Sequence, residues 1–209
     1  MSFYIAIIDY EMGNLKSVHK CLKYLSVASS ITSKAENILN SNGVILPGVG
    51  GFGDAMKQLK EKNLIETIFQ VVNEGKPLLG ICLGLQLLFS KSSEMGDFKG
   101  LELIKGDIVS FDINKGNKVP QIGWNSVDFQ DEEHFLVQGI PNNSYFYFVH
   151  SFYGVPVNTE NILGLTQYGE IRFCSMISKD NIFATQFHPE KSSKYGIKMY
   201  QNFIDFCKK

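Results

Sequence analysis

The 209-residue chain carries 20 Lys and Arg against 21 Asp and Glu, a formal net charge of −1. That balance lacks the basic footprint of a nucleic-acid binder. With 44% hydrophobic and 20% charged residues, the composition is that of a soluble globular protein long enough to bury a core, and no apolar run approaches the roughly 18 residues that cross a bilayer. In chain order, Phe3 to Ile8 reads as a buried strand that ends at Asp9-Tyr10. Leu15, Val18, Leu22 and Leu25 recur at helical spacing over Leu15 to Leu25. Gly43 to Leu46 reads as a second buried strand. Asp54 to Val72 has the pattern of one helix, with Asp54 as its N-cap. Pro77 to Ile81 is a third short buried strand, and Leu83 to Phe89 follows as a helix. Apolar strands alternating with helices predict a mainly parallel sheet covered on both faces.

The second half changes character. From Gly106 to about Phe187 short β-like runs dominate, with turn signals at Asn114 to Asn117, Pro141-Asn142-Asn143 and Tyr168-Gly169. Ser192 to Phe206 closes the chain as a helix, with Tyr195, Met199, Phe203 and Phe206 as its apolar stripe. The expected architecture is a single α/β domain over residues 1–209 that carries an antiparallel β extension. Met1-Ser2-Phe3-Tyr4 lacks the charged region and cleavage site of a signal peptide. A cytoplasmic location is therefore expected, with Cys21, Cys82, Cys174 and Cys207 as free thiols. Their spacing matches no zinc pattern, and neither a metal nor a cofactor is expected.

Gly80-Ile81-Cys82-Leu83-Gly84 has the form of a nucleophile elbow, with cysteine where hydrolases place serine. A helix starting at the elbow aims backbone N–H groups and a positive dipole at the sulfur, which favours the nucleophilic thiolate. A buried structural cysteine is the alternative for the pentapeptide alone. A cysteine nucleophile needs a base, and the base needs an orienting group. His19, in a predicted helix, and His134, beside Asp131-Glu132-Glu133, read as surface residues. His188 stands in Phe187-His188-Pro189-Glu190, where an extended chain turns residues i and i+2 the same way, so that Glu190 can hold the imidazole. A strand-end histidine beside a turn proline is the alternative there.

Pro47-Gly48-Val49-Gly50-Gly51-Phe52-Gly53 formally satisfies G-x-G-x-x-G. It follows a later strand than the first, and no strand ends in an acidic residue about 20 positions on, so a dinucleotide site is not expected. An oxyanion loop fits better, since glycines let backbone N–H groups approach a developing negative charge. Gln86 lies one helical turn after Cys82 and could hold polar groups of a substrate, and Glu94 could pair with a substrate ammonium.

Together, Gly80 to Gln86 and the late His188-Pro189-Glu190 resemble the class I (triad) glutamine amidotransferases. Further stretches carry the likeness: Ile8 to Leu15, Leu46 to Gly50, Pro77 to Phe89, Lys118 to Asn125, Tyr145 to Tyr153 and Thr185 to Ser192. The resemblance implies a flavodoxin-like α/β fold and a triad of Cys82, His188 and Glu190 that releases ammonia from glutamine. It puts the oxyanion donors at the backbone N–H groups of Leu83 and of Val49 or Gly50, and glutamine against Gln86, Glu94 and the Ser151 region. Within the family, the likeness is nearest to members that pass ammonia through a tunnel to a (β/α)8-barrel cyclase of histidine biosynthesis. It implies a heterodimer with Asn14, Trp124, Tyr147 and Lys191 near the partner. Neither a nucleic acid nor a membrane is an expected partner. For Trp124 the alternative is a core aromatic.

The chain departs from the family at two places, with Glu11 and Glu102 standing where glycine is usual. Both keep open a paralogous role that supplies ammonia to a sugar amidotransferase of surface polysaccharide pathways. A stand-alone cysteine hydrolase sharing the elbow and a catalytically dead interaction module are further alternatives.

Overall fold

In the computed structural model, which describes residues 3–112 and 118–209, β1 (Ile5–Ile8) is buried at every position. Its side chains alternate between two cores: Ile5 and Ile7 face one, Ala6 and Ile8 the other. That is why the run is continuously apolar rather than alternating with polar residues. The same holds for β3 (Gly43–Gly48) and β4 (Leu78–Cys82). β1 pairs in parallel with β2 (Ser29–Thr32) and with β3, β3 pairs in parallel with β4, and β4 pairs in parallel with β13 (Ile182–Thr185). One side is covered by α1 (Leu15–Tyr24) and α6 (Ser193–Cys207), which bring Val18, Leu22, Met199 and Phe203 to the first core. The other side is covered by α2 (Ala35–Leu39), α3 (Phe52–Glu61), α4 (Leu64–Asn73) and α5 (Leu83–Leu87), which bring Ile38, Leu59, Ile68 and Leu85 to the second.

Beyond β13 the sheet continues antiparallel. β12 (Ile171–Lys179) pairs with β13, β10 (Phe152–Pro156) with β12, and β7 (Ile104–Ser110) with β10. β5 (Phe89–Ser92) returns to parallel pairing with β7, and β6 (Phe98–Lys99) pairs antiparallel with β5 at the edge. β11 (Ile162–Tyr168) branches from β12 and leads to β8 (Gln121–Phe129), which pairs with β9 (Ser144–His150) as a two-stranded ribbon. The turn signals at Pro141-Asn142-Asn143 and Tyr168-Gly169 fall between β8 and β9 and between β11 and β12. The signal at Asn114 to Asn117 lies outside the described residues.

Two expectations need correction. The helix predicted from Asp54 to Val72 is two helices, because Asn63 takes a left-handed conformation (φ 55°) that ends α3 and starts α4, a conformation asparagine tolerates well. Asp54 is a first-turn acid rather than the N-cap, which is Gly51. β2 and α2 were not foreseen. β2 is a four-residue edge strand of Ser29-Ser30-Ile31-Thr32, and short polar edges carry no apolar signal.

Strand register builds the site. Gly48 pairs with Cys82, and Ile81 with Thr185. The carboxyl ends of β3, β4 and β13 therefore set the Val49-Gly50 loop, the elbow and the segment leading to His188 side by side, where open α/β sheets bind ligands.

Candidate active site

Cys82 ends β4 and caps α5 with φ 55° and ψ −109°, backbone angles that cost a non-glycine residue free energy. The glycines flanking it are there for close approach. A Cβ on Gly84 would sit 1.8 Å from the Leu46 carbonyl oxygen, and one on Gly80 would sit 2.9 Å from the Gly84 oxygen. The sharp turn thus packs α5 directly on β3 and leaves the Cys82 side chain, in a residue 6% exposed, on the wall of a cavity of about 340 Å³. Its sulfur lies 3.8 Å from the Val149 carbonyl oxygen and receives Nε2 of Gln186 at 3.7 Å.

His188 comes to the same cavity from beyond β13. Its backbone N–H donates to the Tyr147 carbonyl at 2.9 Å. Its ring pairs through Nδ1 with Oε1 of Glu190 at 2.8 Å, both side chains being almost wholly buried (2% and 1% exposed). With Nδ1–H committed to the carboxylate, Nε2 is the nitrogen left for chemistry. It has no hydrogen-bond partner of ordinary geometry among the described residues. Burial alone lowers the His188 pKa, but interactions with Cys82 and then with Glu190 outweigh it and raise it to about 10. The Cys82 sulfur on one side of the ring and the Glu190 carboxylate on the other thus both favour the imidazolium.

The remaining predicted site residues separate into two groups. Val49, Gly50, Leu83, Gln86, Glu94 and Ser151 line the cavity with Cys82 and His188. Gly50 has φ 101°, open to glycine but strained for other residues. Leu83 is the first residue of α5, where N–H groups have no intrahelical acceptor. Gln86 spends its amide N–H groups on the Phe152 carbonyl (3.0 Å) and on Oε1 of Gln186 (3.1 Å), so what it can offer a ligand is an acceptor. Glu94 accepts from the N–H of Phe52 at 2.7 Å, and so carries the N-terminus of α3 as well as facing the cavity.

Asn14, Trp124, Tyr147 and Lys191 do not line that cavity. Trp124 is 52% exposed, which removes the core-aromatic alternative. It stands opposite Tyr147 on the outer face of the β8–β9 ribbon, ring centroids 6.2 Å apart, and Lys191 lies 5.7 Å from the Tyr147 ring. Asn14 caps the start of α1 elsewhere, accepting from the Ser17 hydroxyl at 2.9 Å. His19 and His134 are partly buried and structural rather than free on the surface, bonded to the hydroxyls of Ser29 (2.9 Å) and Ser178 (3.0 Å).

Sequence reasoning passed over Gln186, Val149 and His150. Gln186 is two residues before His188, and the i, i+2 argument that linked His188 to Glu190 would have found it. Val149 acts through its carbonyl, for which no side-chain signal exists. His150 is buried with its ring nitrogens 2.8 Å from the Phe152 carbonyl oxygen and 3.1 Å from Gln121 Oε1. Burial lowers its pKa to about 4, a backbone hydrogen bond to Phe152 opposing and His188 adding to the shift, so it is a neutral strut at pH 7.

Comparison with known proteins identifies the family. The family model described as "Glutamine amidotransferase class-I" matches residues 6–206. "Imidazole glycerol phosphate synthase subunit HisH" of Moorella thermoacetica is 49% identical over 95% of this chain and 93% of its own length. The HisH subunit of Chlorobaculum tepidum is 44% identical over 97% of this chain and 100% of its own length, and that of Methanocaldococcus jannaschii is 48% identical over 96% and 98%. Among solved structures, PurLQS from Thermotoga maritima superposes with a TM-score of 0.75 at 18% identity, covering 99% of both chains, which shows the shared α/β fold. The chain belongs to the class I glutamine amidotransferases and, within them, to the HisH subunits of imidazole glycerol phosphate synthase.

Proposed function

We propose that Cys82, His188 and Glu190 form the triad that hydrolyses L-glutamine, and that the ammonia passes to a (β/α)8-barrel cyclase of histidine biosynthesis bound as a heterodimer. The observation that carries this reading is the commitment of His188 Nδ1 to Glu190 at 2.8 Å, with Nε2 unpartnered in the cavity that Cys82 lines. The Cys82 thiol passes its proton to His188 Nε2, and the sulfur attacks the side-chain amide carbon of glutamine. The oxyanion that forms meets the N–H groups of Leu83 and of Val49 or Gly50. His188 gives its Nε2 proton to the leaving nitrogen, so the C–N bond breaks to release ammonia and leave a γ-glutamyl thioester. Water, deprotonated by His188, then cleaves the thioester to glutamate and restores the thiol pair. Gln86, Glu94 and Ser151 hold the glutamine, Glu94 by the charge it turns to the substrate ammonium.

Ammonia released into water is protonated and loses its nucleophilicity, so a sealed contact with the consumer serves the chemistry. The exposed Trp124, Tyr147 and Lys191 face, together with Asn14, is the surface proposed for that contact, and the chain as a whole acts as one domain in the cytoplasm. The test is glutaminase activity with and without the cyclase and its nucleotide ligand. Strong stimulation by both is expected; an unchanged rate would reject this partner. No helix among the described residues is long and apolar enough to cross a membrane.

A further inference from the structure

Glu190 is held from one side only. Oε1 accepts from the His188 ring at 2.8 Å, while Oε2 is buried without a hydrogen-bond partner among the described residues. The Tyr200 hydroxyl is the same kind of orphan, fully buried and unpartnered. An ionised carboxylate only accepts, and a protonated phenol has one hydrogen to donate, so each is what the other lacks.

The chain path brings them together. α6 begins at Ser193, directly after the 3-10 turn Pro189–Lys191. Gly196 packs so tightly under that turn that a Cβ there would sit 1.9 Å from the Pro189 carbonyl oxygen. Tyr200 is one helical turn further on the same face of α6, which points its ring back towards Glu190. Burial first, then the charges of Glu190 and Cys21, hold the phenol protonated well above its usual range. Cys21 of α1 shares the same core; burial and then Glu190 push its thiol up to about 12, so it brings no competing anion at pH 7.

We propose that Tyr200 donates its hydroxyl to Oε2 of Glu190 and is a positioning residue that fixes the carboxylate holding the His188 ring. The inference rests on the triad reading. The contact is not closed to ordinary hydrogen-bond geometry here. Closing it satisfies two buried polar atoms at once, each of which is destabilising when left alone. Without it, a desolvated carboxylate oxygen next to His188 has reason to rotate away, and the imidazole loses its fixed plane.

The experiment is alkylation of Cys82 by iodoacetamide in the full chain, followed against pH with mass spectrometry to assign the thiol. It compares the unaltered protein with His188→Asn, Glu190→Gln and Tyr200→Phe. Tyr200→Phe removes one oxygen and keeps the packing. It is expected to keep the melting temperature within a few degrees, slow alkylation at neutral pH by roughly 5- to 10-fold, the worth of one hydrogen bond, and move the pH profile part of the way towards that of Glu190→Gln. A Tyr200→Phe profile that superimposes on the unaltered protein, while Glu190→Gln departs from it, overturns the inference and leaves the triad standing. Coincident profiles for the unaltered protein and His188→Asn sink the triad itself, and the role of Tyr200 with it. Should Tyr200→Phe not fold, 3-fluorotyrosine placed at position 200 reports instead. Its fluorine resonance must move on Glu190→Gln, and an unmoved resonance overturns the proposal.

Discussion

The hollow at the carboxyl ends of β3, β4 and β13 and the outer face of the β8–β9 ribbon break opposite rules. In the hollow the backbone is irregular and the polar groups are buried: Cys82 sits at φ 55°, and the side chains of His188 and Glu190 are 2% and 1% exposed. In the ribbon the pairing is regular from Gln121↔His150 to Val127↔Ser144, yet Ile122, Trp124 and Tyr145 are 63%, 52% and 60% exposed. Strain held by surrounding packing marks chemistry, whereas apolar side chains left in water mark association. One strand borders both regions. On β9 the Tyr147 carbonyl receives the His188 N–H and the Val149 carbonyl faces the Cys82 sulfur, while the Tyr147 ring turns outwards to Trp124 and Lys191.

Cys82→Ala cuts the two regions apart most sharply. Glutamine hydrolysis measured in the presence of the cyclase should fall on the order of 10⁴-fold or more, as when a nucleophile is removed. Affinity for the cyclase should not change, because the ribbon is untouched. Residual turnover near the unaltered rate would place the chemistry elsewhere. Gly84→Ala attacks the elbow's packing instead of its sulfur. The added Cβ meets the Leu46 carbonyl at 1.8 Å and forces α5 off β3. A loss of about 3 kcal/mol or more in urea unfolding is expected, and a loss below 1 kcal/mol would mean that the turn is not as tight as described.

Acid tests the strut behind the ribbon. The pKa of buried His150 is about 4 in the fold against 6.5 for an ordinary histidine, so the unfolded chain binds its proton first. Stability therefore falls as pH drops from 6.5 towards 4, by about 3 kcal/mol in all at 1.4 kcal/mol per unit. His188 runs the other way. Its pKa is raised to about 10, so its contribution is complete below 6.5 and is lost as pH rises from there to 10. His150→Asn should flatten the acid side of the stability profile and leave the alkaline side alone; an unaltered acid limb would assign that loss to the carboxylates. On the ribbon itself, Trp124→Ala should weaken cyclase binding by about 2 kcal/mol, roughly 30-fold, with the melting temperature of the isolated chain unmoved. Equal affinity for the cyclase would move the docking surface off this face.

Much of the hollow was legible in the sequence because its parts are constrained locally. A glycine-flanked cysteine after an apolar strand, and a histidine two residues before a glutamate, each announce a geometry without knowledge of the fold. The register that joins them was not legible: that Gly48 pairs with Cys82 and Ile81 with Thr185 depends on which strands become neighbours. Backbone atoms such as the Val149 carbonyl leave no trace in a side-chain pattern. Tyr200 and Gln186 were missed for another reason, since a buried polar residue on a helix stripe or beside a strand looks like ordinary core. The break at Asn63 did leave a signal, because the apolar stripe of Phe52, Ala55 and Leu59 changes phase before Leu64, Ile68 and Val71, which reading the stretch as one helix passed over.

The smallest effect concerns the two departures from the family pattern. Glu11 and Glu102 both lie in left-handed backbone, at φ 68° and φ 54°, which explains why glycine is usual there and costs each glutamate about 1 kcal/mol. They differ in what they touch. Glu11 receives Lys62 Nζ at 2.8 Å across an exposed surface, and its own N–H donates to Asp9 Oδ1 at 3.1 Å. Glu102 is an exposed residue whose backbone N–H donates to the Phe89 carbonyl at 3.1 Å, a bond that glycine would keep. Glu102→Gly should therefore stabilise the chain by about 0.5–1 kcal/mol, and Glu11→Gly by less, because it also removes a surface ion pair with Lys62. In 1 M salt, where charges are screened over about 3 Å, the two gains should converge. If they are already equal at low salt, the Lys62 pair contributes nothing. If Glu11→Gly gains more than Glu102→Gly, relief of backbone strain is not what separates the two positions.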